Sequence, residues 1–149
     1  AHAEARDAVH TALDVTTQAA ILSVVTELAR ERKMATILIT HDLAMASEIC
    51  DRIVVMHAGH AVETAPTQAL FGQPRHPYTA RLIASTPGPG QSIATLASIP
   101  GNLPDLRRED LPSCRFHARC DRAREVCVSG SLPVKQFDPA HSARCFDPL

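Results

Sequence analysis

All eleven prolines of this 149-residue chain lie at or after Pro66. Proline fixes φ and removes a backbone donor, so it is kept out of helix interiors and central strands. Residues 1–65 are therefore free to form uninterrupted regular structure, whereas the rest must be assembled from short elements and turns. One core with an appendage is the most that a chain of this length holds. With 3% aromatic residues and no Trp, that core is built from small and branched aliphatics. Such a core suits an α/β arrangement of helices on a sheet better than an aromatic-rich sandwich.

The formal charge of −1 removes the basic footprint of a nucleic-acid binder. No apolar run approaches the roughly 18 residues of a membrane span, and the start, Ala1-His2-Ala3-Glu4-Ala5-Arg6, lacks the apolar region of a secretory signal. These features predict a cytoplasmic chain without a membrane span of its own.

Within the proline-free part, Asp14 is placed to cap a helix over residues 16–32, where Ile21, Val24, Val25 and Leu28 recur at helical spacing. The apolar run Ala35-Thr36-Ile37-Leu38-Ile39-Thr40 then reads as a buried parallel strand, with residues 37–40 covered by helices. Its carboxyl end carries His41, at the position where open α/β sheets bind ligands, and an imidazole there can reach a phosphate. A purely structural hydrogen-bonding role is the plain alternative. Leu43, Ala46, Ile49 and Cys50 fit one face of a second helix capped by Asp42. Residues 52–56 and 60–64, around Ala58-Gly59, read as a hairpin. Short helices follow over residues 66–71 and 78–85. Pro87-Gly88-Pro89-Gly90 is a linker, and little periodicity follows it as far as Leu111.

Four of the five cysteines fall in the tail, Cys114, Cys120, Cys127 and Cys145, spaced C-x5-C-x6-C-x17-C. Clustered thiols in a cytosolic chain argue for a metal over disulfides. Structural zinc sites favour C-x2-4-C pairs, and iron–sulfur clusters accept irregular spacing; the spacing alone leaves both open. Arg115, Arg119, Arg122 and Arg124 flank the first three cysteines, where positive charge would stabilise thiolates. The four sulfurs are expected to gather at one point. Cys50 is expected to stay apart as a core residue; His117 and His141 are candidate substitute ligands, with a surface placement the plainer expectation.

Order and spacing together carry more than any one of these features. Thr11-Ala12-Leu13-Asp14, an amphipathic helix, Ile37-Leu38-Ile39-Thr40-His41-Asp42-Leu43, then Cys50-Asp51-Arg52-Ile53-Val54-Val55-Met56 and Gly59 closely resemble the second half of an ATP-binding-cassette ATPase, a P-loop fold. The resemblance implies that Thr11, Ala12, Leu13 and Asp14 form the D-loop, which communicates across an ATPase dimer. It also implies that His41 is the switch histidine that contacts the terminal phosphate of ATP. An imidazole suits that task because it donates a hydrogen bond to charge developing on a transferring phosphoryl group.

Farther on, Gly72-Gln73-Pro74-Arg75-His76-Pro77-Tyr78-Thr79-Ala80-Arg81-Leu82, Ile99-Pro100-Gly101-Asn102-Leu103-Pro104 and Cys114-Arg115-Phe116-His117-Ala118-Arg119-Cys120 are similar to the C-terminal extension of oligopeptide, dipeptide and nickel importer ATPases. This resemblance implies a division into a divergent segment 1–10, the C-terminal part of an ATPase domain over 11–86, and the extension over 87–149. It implies ATP and Mg2+ as cofactors of the parent family, and permease subunits and a second ATPase subunit as partners on the cytoplasmic face of the membrane. It also favours a [4Fe–4S] cluster over zinc at the four cysteines.

The chain also departs from the family. None of its six glycines is followed by Lys, so a G-x-x-x-x-G-K-[ST] phosphate loop is missing. The Ser-Gly-Gly signature loop is missing too. Asp7 aligns with the magnesium-associated Asp, but Ala8 stands where the catalytic Glu belongs, and an alanine cannot polarise water. The expectation is a truncated ATPase subunit that does not turn over ATP alone and leaves apolar faces uncovered. The competing expectation is a non-catalytic metal-binding or regulatory module, or a non-functional gene fragment.

Overall fold

The computed structural model describes residues 15–87 and 97–149. The chain divides into two compact units, Ala1–Ile39 and Thr40–Leu149. The tetrapeptide Thr11-Ala12-Leu13-Asp14, the segment before it with Asp7 and Ala8, and Gly88-Pro89-Gly90 of the linker lie outside the described residues.

In the first unit, α1 (Val15–Glu31) carries the apolar stripe. Its end is closed by Lys33 at φ 51°, with Lys33 N–H donating to Arg30 and Met34 N–H to Ala29, the bond pattern of a Schellman cap. Ile21, Val24, Val25 and Leu28 are all at least 43% exposed, so the stripe is uncovered. The expected parallel strand after it does not form: residues 34–40 adopt no regular structure, and Ile37 and Ile39 are 90% and 94% exposed. A buried parallel strand needs neighbours on both edges. Among the described residues no strand pairs with this segment.

The second unit begins with α2 (Leu43–Ile49), where the Asp42 carboxylate accepts a 3.0 Å hydrogen bond from Met45 N–H as an N-cap. Next come β1 (Arg52–His57) and β2 (His60–Pro66), paired antiparallel. The two-residue loop between them holds Ala58 at φ 49° and Gly59 at φ 84°, the positive φ pair that a type I′ hairpin requires. Ile53, Val55 and His57 face inward while Arg52, Val54 and Met56 face out. The register shifts between Val55 and Met56, opposite Glu63 and Ala61, so Val62 is the extra residue of a β-bulge. The bulge places Val62 and Glu63, consecutive in sequence, both on the buried side.

Helices α3 (Thr67–Gly72) and α4 (Pro77–Ala84) follow. Leu70 is fully buried with Ala46, Ile53, Val55, Val62 and Ala65, and Tyr78 and Leu82 of α4 pack against that core. In the tail a 3-10 turn (His117–Arg119), a single-turn helix α5 (Val126–Ser129) and a second hairpin, β3 (Val134–Asp138) with β4 (His141–Arg144), complete the unit.

The tail is therefore no appendage. Strand β4 pairs antiparallel with β2 through Glu63↔Ala143 and Thr64↔Ser142, giving one four-stranded sheet in the order β1-β2-β4-β3. A second core of Cys114, Phe116 and Cys127 takes in Ile99, Leu132, Phe146 and, again, Tyr78. Tyr78 thus packs against both cores.

Candidate metal centre

Backbone hydrogen bonds bring the tail cysteines together. Cys114 N–H donates to Cys127 O at 2.8 Å, and Ser113 N–H to Val128 O at 2.9 Å, so α5 is held against the segment that carries Cys114. The 3-10 turn starts where His117 N–H donates to Cys114 O and ends where Cys120 N–H donates to His117 O, each at 3.1 Å. Cys145, the residue after β4, donates its N–H to Pro133 O at 3.1 Å. As a result Cys114, Cys120, Cys127 and Cys145 all line one recess, with His76, Phe116 and His117 also on its wall. Cys50 packs instead against the first core.

All five cysteines are free thiols. Burial pushes the Cys114 thiol up to about 11, and the nearby Cys127, Cys145 and Cys120 thiols add to the shift. Burial likewise raises Cys120 and Cys145, with neighbouring thiols contributing. Cys114, Cys120 and Cys145 are therefore protonated at neutral pH, and any metal that they bind must displace those protons. Among the described residues no group of three or more His, Cys, Asp or Glu is drawn together as a ready-made site for a single ion.

The flanking arginines do different work from that expected. Arg119 donates to Pro100 O at 2.8 Å and Ile99 O at 3.1 Å. Arg115 donates to Ala58 O in the β1–β2 turn. Arg122 and Arg124 pair with Asp147 at 3.0 and 2.8 Å and hold its carboxyl below the usual carboxylate range. These side chains tie loops together, and the charge that lowers Cys120 against its burial comes from Arg81.

The turn at Arg75-His76-Pro77-Tyr78 borders the same recess. His76 is the N-cap of α4: its Nδ1 accepts a 3.0 Å bond from Tyr78 N–H, and Pro77 occupies the first helical position, where no donor is lost. Burial pulls the His76 imidazole down to about 4, against an upward pull from Glu63. Glu63 anchors the turn, because its Oε1 accepts from Arg75 N–H at 2.7 Å and its Oε2 from His76 N–H at 2.8 Å. His141 Nε2 lies 2.7 Å from Glu63 Oε1. His141 is 3% exposed, so it is a buried sheet residue rather than the expected surface one.

An aromatic cluster fills the space behind. Tyr78 and Phe116 meet at 5.2 Å, and His57 lies 4.4 Å from Tyr78 and 5.4 Å edge-on to Phe116. His57 and His76 are both buried, and each has an Nε2 with no hydrogen-bond partner among the described residues. An orphaned buried polar atom costs roughly 1–3 kcal/mol. Sequence reasoning passed over Glu63 and His57, and read His141 as a surface residue. The one signal that could have found Glu63 is a charged residue in a strand whose neighbours Val62 and Ala65 belong to the core.

His41 stands elsewhere, exposed just ahead of the α2 cap. It does not line the recess that holds Cys114, Cys120, Cys127 and Cys145.

Residues 62–127 match the family model of the oligopeptide/dipeptide transporter C-terminal region. That match begins at the bulge of β2 and ends at Cys127, so it spans the α4 turn and three of the four tail cysteines. Among its relatives are the oligopeptide transport ATP-binding protein OppD of Escherichia coli, 43% identical over 140 residues, and OppD of Salmonella typhimurium, 42% identical over 140 residues. The dipeptide transport ATP-binding protein DppD of Escherichia coli is 40% identical over 140 residues. The alignments cover 93% of this chain, which spans 41% of the OppD sequences and 42% of DppD. No helix among the described residues is long and apolar enough to cross a membrane.

Proposed function

We propose that this chain is the C-terminal part of the ATP-binding subunit of an ATP-binding-cassette importer for peptides. The carrying observation is the identity of 43% with an oligopeptide transport ATP-binding protein across 93% of the chain. In this reading His41 is the switch histidine and Thr11, Ala12, Leu13 and Asp14 are the D-loop. The phosphate loop, Mg2+ site and signature loop come from sequence preceding these residues, and a second ATPase subunit and membrane permease subunits complete the machine at the cytoplasmic membrane face. The uncovered stripe of α1 and the exposed Ile37 and Ile39 support it, because a strand and a helix of an open α/β sheet have such faces when their neighbours are missing. The test is uptake of a labelled peptide in cells deleted for their own importer ATPase, supplied with the gene that encodes this chain. Restored uptake that His41→Ala abolishes supports the reading; uptake that stays at the deletion level overturns it.

The four cysteines fit a four-thiolate centre, since they share one recess and form no disulfide. Cys114, Cys120, Cys127 and Cys145 would hold a [4Fe–4S] cluster, which supplies a one-electron redox couple or a structural staple for a loop-rich tail. Anaerobic reconstitution is expected to load about four irons per chain. Alanine at any of the four should lower that content and Cys50→Ala should not, whereas stoichiometric zinc from a mixture of both metals would overturn the assignment.

A further inference from the structure

The His76-Pro77-Tyr78 turn holds a hydrogen-bond donor with no partner among the described residues. Tyr78 N–H can only donate, so the 3.0 Å bond to His76 Nδ1 makes that nitrogen the acceptor. The ring proton of the neutral imidazole therefore sits on Nε2. His76 is 1% exposed, and its Nε2 has no partner among the described residues. The ring is also fixed in place. Its backbone N–H is bound to Glu63 Oε2 at 2.8 Å, its Nδ1 caps α4, and Phe116 lies 6.2 Å away. A buried donor locked in one tautomer and one position is ready for an acceptor that the described residues do not supply. His76 lines the same recess as the four thiols.

We propose that His76 donates a hydrogen bond from Nε2 to a sulfur of the group held by Cys114, Cys120, Cys127 and Cys145, making it a positioning residue of that centre. The inference rests on the cluster reading above. Metal-bound thiolate and sulfide carry charge and accept hydrogen bonds readily, so the bond forms when the recess is loaded. Hydrogen bonds to cluster sulfur stabilise the more negative, reduced state and raise the reduction potential. The competing partner is a water shared with His57, whose Nε2 is also free and which lines a neighbouring recess with His76 and Cys114.

The full chain, reconstituted anaerobically with ferrous iron and sulfide, provides the test. In His76→Asn the amide oxygen takes the place of Nδ1, keeps the cap on α4 and deletes the donor; His57→Asn is the control. Iron content is expected to match the wild type in both. The potential measured by spectroelectrochemistry should shift downward in His76→Asn and stay put in His57→Asn. Pulsed electron paramagnetic resonance of the chemically reduced wild type, labelled with nitrogen-15 histidine, should show one weakly coupled nitrogen and an exchangeable proton, both lost in His76→Asn. Should that variant fail to fold, the wild-type coupling decides alone. Full iron loading with an unmoved potential and no coupled nitrogen overturns the role of His76 and leaves the cluster standing. A wild type that takes up no iron overturns both.

Discussion

Glu63 Oε1 lies 2.7 Å from His141 Nε2, joining residues 78 apart in sequence whose side chains are 0% and 4% exposed. The same carboxylate accepts the backbone N–H groups of Arg75 and His76. One buried group therefore ties the β2 bulge to the α4 turn and to β4, and through them to the recess of the cysteines.

Removing it should be among the most damaging single changes. Glu63→Ala strands two backbone donors and an imidazole inside the protein, a loss on the order of 3 kcal/mol or more. Glu63→Gln keeps one acceptor and should cost less. Denaturant midpoints of the two variants, read against wild type, measure the difference.

The metal-free chain should lose stability as acid titrates its buried histidines. His76 is lowered from 6.5 to about 4 in the fold, so between those values the unfolded chain binds a proton that the folded chain does not. Stability is then complete above about pH 6.5, falls as pH drops toward 4, and levels off below, a loss on the order of 3 kcal/mol from this group. His57, lowered chiefly by burial, acts in the same direction. The slope of unfolding free energy against pH should flatten in His76→Asn.

Thiol chemistry should separate folded from unfolded protein. With the Cys114 thiol raised from 9.0 to about 11, its thiolate fraction at pH 8 falls roughly a hundredfold. Alkylation mapped by peptide mass spectrometry should find Cys114 slow in the metal-free native chain and fast in denaturant. Equal rates would contradict the burial of this sulfur.

The β1–β2 turn offers a stabilising change. Ala58 sits at φ 49° before Gly59, a conformation that costs a non-glycine residue about 1 kcal/mol and that Asn tolerates. Ala58→Asn should raise stability by about 0.5 kcal/mol, visible as a higher melting temperature. Gly59→Ala should lower it, because an added Cβ would lie 2.9 Å from Arg115 Nη1 at a positive φ.

Local patterns were legible wherever neighbours in sequence supply the structure. The Asp42 cap, the hairpin about Ala58-Gly59 and the proline-led start of α4 all follow from residues within a few positions of one another. Residues 35–40 show the limit, since their apolar run describes a strand whose partners must come from elsewhere. The joining of β4 to β2 was illegible for another reason: Glu63 and His141 look like unremarkable polar residues until a bulge turns one inward and a distant strand delivers the other. The arginines beside the cysteines were only partly legible: Arg122 does line the recess, but Arg119, Arg122 and Arg124 direct their hydrogen bonds and ion pairs to carbonyls and Asp147.

The union of β2 with β4 also sets a timetable. Strand β2 leaves the ribosome well before its partner, since His141 follows Glu63 by 78 positions, a delay of roughly 4 to 16 s at ~5–20 residues per second. For that interval β2 presents an open edge able to pair with other extended chains, beside a turn whose anchor still lacks its histidine. Chaperone demand during synthesis is thus governed by translation speed across the intervening loops, and synonymous codon changes there would alter yield without touching a single contact.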